Sequence, residues 1–292
     1  MKLSKFLGIS AVVAMLFGCS NVDNAVYVFF KNGAILSLPD KSGVKVEFYF
    51  QDAVRVTKWP SGGNDKKTSL CVTANPDVPE LEKNESQDFL TIKSEKIIVT
   101  VDKKNGNVSF FNSDSLPFLN ETASPEFKEI TAFDDKGYSL CQQFVMFGNQ
   151  ALYGLGQHQE GFMNYRGKEL LLSQSNVNAV NPVLVSSNGY GIFWDNYSLT
   201  KFNNTQKDTL SIWSEMGDNI DYYFLGATNI DGVISAYRRL TGKAQNLPVW
   251  AFGYWQSKER YKTQQEVVDI ANRYTTKENV PIDVMEIGRA HV

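Results

Sequence analysis

The chain is poor in the residues that build metal and redox sites. It has three cysteines and two histidines in 292 residues, and no Cys/His cluster at metal-ligand spacing. No metal centre and no cofactor is therefore expected. Basic residues are not in excess either. The 29 Lys and Arg against 32 Asp and Glu give a net charge of −3. No basic surface is then available to neutralise phosphates, which argues against a nucleic-acid partner. The apolar run Phe6 to Phe17 is too short to cross a bilayer. Away from the amino end, Cys71 and Cys141 are too few for a disulfide framework. They could pair in an oxidising compartment, but buried free thiols are the favoured reading.

What is present is apolar and aromatic. Hydrophobic residues make up 42% of the chain and aromatics 13%, enough for a large core. The length suits one large or two ordinary domains. Flat aromatic rings would suit a sugar site, though core and strand packing accounts for most of them. The amino end reads as a secretion signal over residues 1–18, with Lys2 and Lys5 before the apolar run. Leu16-Phe17-Gly18-Cys19 resembles a bacterial lipobox. That resemblance implies cleavage before Cys19, lipid on its sulfur, and a periplasmic or outer-membrane lipoprotein of the cell envelope. Its only membrane contact would be this anchor. Phe17 departs from the pattern, where a small residue is commoner.

Residues 19–245 read as strand after strand. Val26 to Phe30 ends at the Lys31-Asn32-Gly33 turn, and Val44 to Phe50 alternates at period two. Lys96 to Val101 and Val108 to Phe111 flank Asn105-Gly106, a hairpin signal because Asn-Gly tolerates positive φ. Gly189 to Trp194 and Asp221 to Leu225 add strands, and Ser61 to Ser86 reads as a loop. Many short strands with polar turns argue a β-sandwich.

The pattern changes near Leu247, and residues 246–285 read as a second domain. Val249 to Gln256 predicts a buried strand. Thr263-Gln264-Gln265-Glu266 predicts a capping box. Val267, Val268, Ile270, Ala271 and Tyr274 follow at helical spacing, Asn279 and Pro281 stop the helix, and Ile282 starts another strand. This is a β-α-β unit. A barrel of eight such units needs roughly 250 residues, whereas Leu247 to Met285 supplies 39. The last residues, 286–292, read Glu-Ile-Gly-Arg-Ala-His-Val. They resemble the in-frame translation of a sequencing-library adapter and continue an apolar strand poorly. A non-native tail on a truncated barrel is the expectation.

Three motifs carry a family resemblance. Ala151 to Gln159 contains Tyr153-Gly154-Leu155-Gly156 and is similar to the "YGLG" segment of glycoside hydrolase family 31. Gly189 to Asn196 is similar to the strand that follows in that family, and Leu247 to Tyr261 to the start of its barrel. The resemblance is good over 90–285 and loose before it. It implies a mainly β chain: a galactose-mutarotase-like β-sandwich followed by the truncated first β-α-β unit of a (β/α)8 TIM barrel. It further implies a retaining α-glycosidase, with α-xylosidase on xyloglucan fragments favoured and α-glucosidase next. One Asp would attack the anomeric carbon while a second carboxyl protonates the leaving oxygen. Both lie on later barrel strands in the family, so no catalytic residue is assigned here.

The family's sandwich loop over the barrel mouth would fall between Gly161 and Pro182. Relatives often carry Asn-Arg-Asp there, whereas this chain has Ser173-Gln174-Ser175-Asn176-Val177-Asn178. Gln174 and Asn176 are candidate substrate contacts, since amides both donate to and accept from hydroxyls. A loop satisfying its own backbone is the competing reading. Gln256, Glu259 and Tyr261 follow the first barrel strand, on the face where barrel sites form. His158 reads as ordering the loop rather than performing chemistry. The Asn196-Tyr197-Ser198 glycosylation triplet is incidental in a bacterial-type lipoprotein.

Three functions compete: the amino-terminal part of a glycosidase with an oligosaccharide substrate, a lipid-anchored glycan-binding sandwich without catalysis, and a mutarotase-like sandwich. The last needs a His and carboxylate pair, with His158 the only candidate His. The β-α-β unit favours the first, because a finished binding module has no use for half a barrel.

Overall fold

The computed structural model describes residues 25–77, 80–132 and 134–287. The expected secretion signal, Cys19 and the residues beyond Ile287 lie outside these. The chain divides into two compact units, Met1–Gly242 and Lys243–Val292.

Among the described residues the first unit has eighteen strands. They begin with β1 (Val26–Phe30), β2 (Gly33–Ser37), β3 (Gly43–Phe50), β4 (Ala53–Trp59), β5 (Glu82–Glu85) and β6 (Phe89–Lys93). Next come β7 (Ile97–Asp102), β8 (Val108–Asn112), β9 (Pro117–Glu121), β10 (Glu126–Ala132), β11 (Asp135–Met146) and β12 (Leu152–Gln157). The rest are β13 (Glu169–Leu172), β14 (Ala179–Ser186), β15 (Tyr190–Trp194), β16 (Thr200–Asn203), β17 (Thr209–Gly217) and β18 (Ile220–Gly226). One sheet runs β1-β2-β3-β4-β18-β15-β14-β12. The other runs β13-β16-β17-β11-β9-β8-β7-β6-β5, with β10 paired to β11. Every pairing within the unit is antiparallel, and the two sheets share one core. This is the expected β-sandwich.

The period-two pattern decides which side chains enter that core. Val44, Val46 and Phe48 of β3 are buried, as are Ile97, Val99 and Val101 of β7. Gly106 takes φ 70°, so the β7–β8 hairpin turns where the Asn-Gly pair placed it. Phe110 and Phe224 stack across the core with centroids 4.0 Å apart. Trp194 donates through Nε1 to the Ser214 hydroxyl, which satisfies the one polar atom of a buried indole.

Three sequence expectations for this unit are corrected. Residues 19–245 are not strands alone, since helix α1 spans Ile230–Thr241. Asn229 caps it by accepting from the Gly232 N–H, and Val233, Ala236 and Leu240 pack at helical spacing. They cover the outward faces of Phe193, Tyr223 and Leu225. That cover explains why β15 and β18 are buried on both faces. The stretch from Ser61 to Ser86 also contains β5. Of the two thiols, Cys141 is buried, but Cys71 is free and exposed, because it lies in the irregular segment before β5 rather than on a core strand.

The second unit holds a 3-10 turn at Val249–Phe252, strand β19 (Trp255–Ser257), helix α2 (Gln264–Asn272), a π-helical turn at Arg273–Lys277 and strand β20 (Val284–Glu286). β19 and β20 pair in parallel, completing the β-α-β unit. The buried strand expected over Val249 to Gln256 is absent. Only Trp255 to Ser257 meets a ladder partner, and the preceding segment coils with Val249 88% and Phe252 77% exposed. Thr263 caps α2 by accepting from the Glu266 N–H at 3.1 Å. The expected return bond shifts by one residue, because the Glu266 carboxylate takes the Lys262 N–H at 2.8 Å. Asn279 adopts φ 54° and ends the helical run, as a C-terminal Asn can.

Candidate functional site

The Tyr153-Gly154-Leu155-Gly156 segment forms an irregular stretch of β12. Gly154, Leu155 and Gly156 have φ of 97°, 61° and 102°, and the pairing with β14 shifts register between the two glycines. A Cβ on Gly156 would lie 2.0 Å from the Ala179 carbonyl oxygen, so no larger residue fits. The bulge turns the Leu155 carbonyl toward His158, whose Nε2 donates to it at 2.8 Å. The ring stands edge-on to Tyr165. These partners give His158 an ordering contact and include no carboxylate.

The stretch from Gly161 to Pro182 is not one free loop. It contains β13 and the start of β14, because Leu170 and Leu172 pair with β16 and bury their side chains. Residues 161–168 and 173–178 are the parts outside the strands. Gln174 folds back in the second of these, its Oε1 accepting from the Val180 N–H at 2.9 Å. Asn176 is exposed.

Beside this segment lies a cleft of about 570 Å³ whose lining includes Gln174, Asn181, Trp194, Asp195, Tyr197 and Tyr237. Asp195 is 1% exposed, and neither carboxylate oxygen has a hydrogen-bond partner. Next to it is an ionic cluster. Arg55 donates to both Asp221 oxygens, at 2.9 and 2.7 Å. Lys67 pairs with Asp221 at 3.4 Å and also donates to the Asp195 main-chain oxygen. Burial works against the Arg55 charge, but the two-point bond and charge of Asp221 outweigh it and hold the guanidinium above its ordinary pKa. Burial raises the Tyr197 phenol, and its oxygen accepts the Leu70 N–H at 2.6 Å. The Cys71 thiol, though the residue is exposed, is raised by partial desolvation and then by the Asp195 charge.

In the second unit Gln256 sits mid-way along β19. Its Oε1 accepts from Tyr254 and Tyr274 hydroxyls at 2.6 and 2.7 Å, and its Nε2 donates to the Tyr261 oxygen at 3.2 Å. Tyr261 is buried, with Lys258 5.4 Å above its ring. Gln256 and Tyr261 thus come together, joined by Tyr254 and Tyr274, which the sequence reading did not single out. Glu259 is exposed and stands apart from this cluster. Nor did the sequence single out Asp195 and Tyr197 as site residues. Asp195 falls in the Gly189 to Asn196 motif, and Tyr197 in the Asn196-Tyr197-Ser198 triplet. Among the described residues no group of three or more His, Cys, Asp or Glu could hold a metal ion.

Residues 43–203 match the family model of the glycosyl hydrolase 31 N-terminal galactose mutarotase-like domain, and residues 244–289 that of the glycosyl hydrolases family 31 TIM-barrel domain. The chain belongs to glycoside hydrolase family 31. It is 34% identical over 258 residues to an α-xylosidase of Saccharolobus solfataricus, covering 83% of this chain and 34% of that protein. It is 29% identical over 260 residues to α-glucosidase 2 of Bacillus thermoamyloliquefaciens, covering 84% and 32%. The chain therefore spans about a third of the length of these relatives. Among solved structures, a family 31 α-xylosidase from a soil metagenome, complexed with xylose, superposes with a TM-score of 0.77 at 23% identity over 87% of this chain and 40% of that one. A family 31 dextranase of Flavobacterium johnsoniae, complexed with isomaltotriose, gives 0.76 at 22% over 91% and 34%. These likenesses concern the fold.

Proposed function

We propose that this chain is the amino-terminal part of a retaining α-glycosidase that removes terminal α-linked xylose or glucose from oligosaccharides, with α-xyloside the favoured substrate. The observation that carries the reading is the 34% identity to an α-xylosidase across 258 residues, 83% of this chain. Retention needs a nucleophile and an acid/base carboxyl about 5–5.5 Å apart. The proposal places both on barrel strands beyond β20, with Gln174, Asn176, Gln256, Glu259 and Tyr261 as contributors to sugar binding. Gln256 has committed its amide to three tyrosines, so its part is to hold those hydroxyls in place. Glu259 is the freer acceptor. Lipid on Cys19 would hold the protein in the cell envelope.

The test is hydrolysis of aryl α-xyloside and α-glucoside. The 292-residue chain is expected to show no turnover above blank. The product of the reading frame continued past the Met285 codon is expected to cleave the xyloside with net retention. Turnover by the purified 292-residue chain, or inversion by the longer product, would overturn the corresponding part of the reading.

A further inference from the structure

The cleft beside β15 poses a problem of charge. A carboxylate withdrawn from water with two unpaired acceptors is costly, and such groups in folded proteins meet a ligand or ordered water. Asp195 is in that position: the Tyr197 hydroxyl, raised by burial and then by Asp195, is the adjacent protein donor, but it lies outside hydrogen-bond geometry. The nearby charges narrow what could meet it. Lys67 already places an ammonium against the Asp195 main chain and pairs with Asp221. A second cation would meet that charge, and an anion would meet the Asp195 carboxylate. A neutral ligand rich in hydroxyl donors fits both constraints.

The walls suit the same class. Asn181 offers an exposed amide that can donate and accept. Tyr197 and Tyr237 add ring surface, and Trp194 backs the cleft. Tyr197 is held in place by the Leu70 N–H on its oxygen and by Lys67 5.1 Å over its ring. A few polar groups converging beside aromatic surface form a typical small-molecule site. The volume of about 570 Å³ accommodates a sugar unit.

We propose that this cleft binds one sugar ring of a neutral oligosaccharide, with Asp195 accepting hydrogen bonds from its hydroxyls and Asn181 bridging others. The ligand class rests on the glycosidase reading above.

The test is calorimetric titration of the 292-residue chain with α-D-xylosyl-(1→6)-D-glucose, with ethanolamine as the cationic control. The disaccharide is expected to bind and ethanolamine not to. Asp195→Asn, which keeps the volume and removes the charge, is expected to weaken the sugar at least tenfold. Asn181→Ala at the rim should weaken it several-fold with an unchanged circular dichroism spectrum. If Asp195→Asn does not fold, the Asn181→Ala result decides. Absence of sugar binding by the unmodified chain overturns the proposal, as does preference for ethanolamine. Unaltered affinity in Asp195→Asn also overturns it, and would mean that water satisfies the carboxylate. A longer product that hydrolyses xyloside while this cleft binds nothing would sink the cleft alone. Binding here without hydrolysis there would sink the glycosidase reading alone.

Discussion

Asp221 is the residue on which the outer face of the eight-stranded sheet depends. It is 1% exposed and holds two cations, Arg55 through two hydrogen bonds and Lys67 through an ion pair. Arg55 also donates to the Lys67 carbonyl, tying the irregular segment after β4 to the sheet. Breaking a buried pair by removing one charge leaves the other uncompensated and costs about 3–5 kcal/mol. That is a large share of the roughly 5–15 kcal/mol that stabilises a domain. Asp221→Asn is expected to lower the unfolding free energy by that order, taken from urea denaturation followed by tryptophan fluorescence. A change under about 1 kcal/mol would show that Arg55 finds water instead. At Cys19 the expectation is chemical. Cys19→Ala should release the protein into the soluble fraction or block signal processing. If the substituted protein is processed and still sediments with membranes, the anchor lies elsewhere.

Among the elements, the two helices show what local signals can and cannot say. Helix α2 carried its own start signal, Thr263 followed by Glu266, and forms where that signal put it. The Glu266 carboxyl is held below the ordinary glutamate range by its bond to Lys258, and then by the Lys262 N–H. A depressed folded pKa means the contribution is complete above the unfolded value, about 4.3, and is lost as pH falls through the folded one. Amide protection in the first turn of α2, corrected for intrinsic exchange, is therefore expected to fall below about pH 4, and Glu266→Gln should abolish that pH dependence. A first turn whose protection is flat between pH 6 and 3 would argue that the cap rests on Thr263 alone. Helix α1 has an equally good cap in Asn229, yet reads weakly in sequence because it follows seven residues of strand after only a short turn. Its value lies in covering Tyr223 and Leu225 rather than in any local signal.

For the molecule as a whole, the two units differ in how well each buries its own apolar surface. The sandwich encloses a continuous core and covers one outer sheet face with α1. In the second unit Val249, Trp250, Phe252 and Trp255 are 88%, 51%, 77% and 44% exposed. Burying such a side chain contributes about 1.5–3 kcal/mol, so several left open deprive the unit of most of what would stabilise it. Limited trypsin digestion is expected to cut first at or after Lys243 and to leave a resistant sandwich. A second unit surviving as long as the sandwich would show that its apolar face is covered in solution.

The sequence by itself determined the sandwich, the β-α-β unit and the family. Period-two burial, an Asn-Gly turn and a Thr cap are local rules that neighbouring residues enforce. The structure showed why the Tyr153 to Gly156 segment needs its glycines, since the register shift in β12 admits no Cβ there. Only the tertiary structure decided that Gln174 spends its amide on Val180, or that the Gly161 to Pro182 stretch carries strand β13 and the start of β14. It alone placed three tyrosines around Gln256, and set Asp195 beside Lys67 across 128 residues of sequence. Those outcomes depend on which strands pair and what covers their faces. Pairing partners distant in the chain leave no periodic trace in the residues that meet.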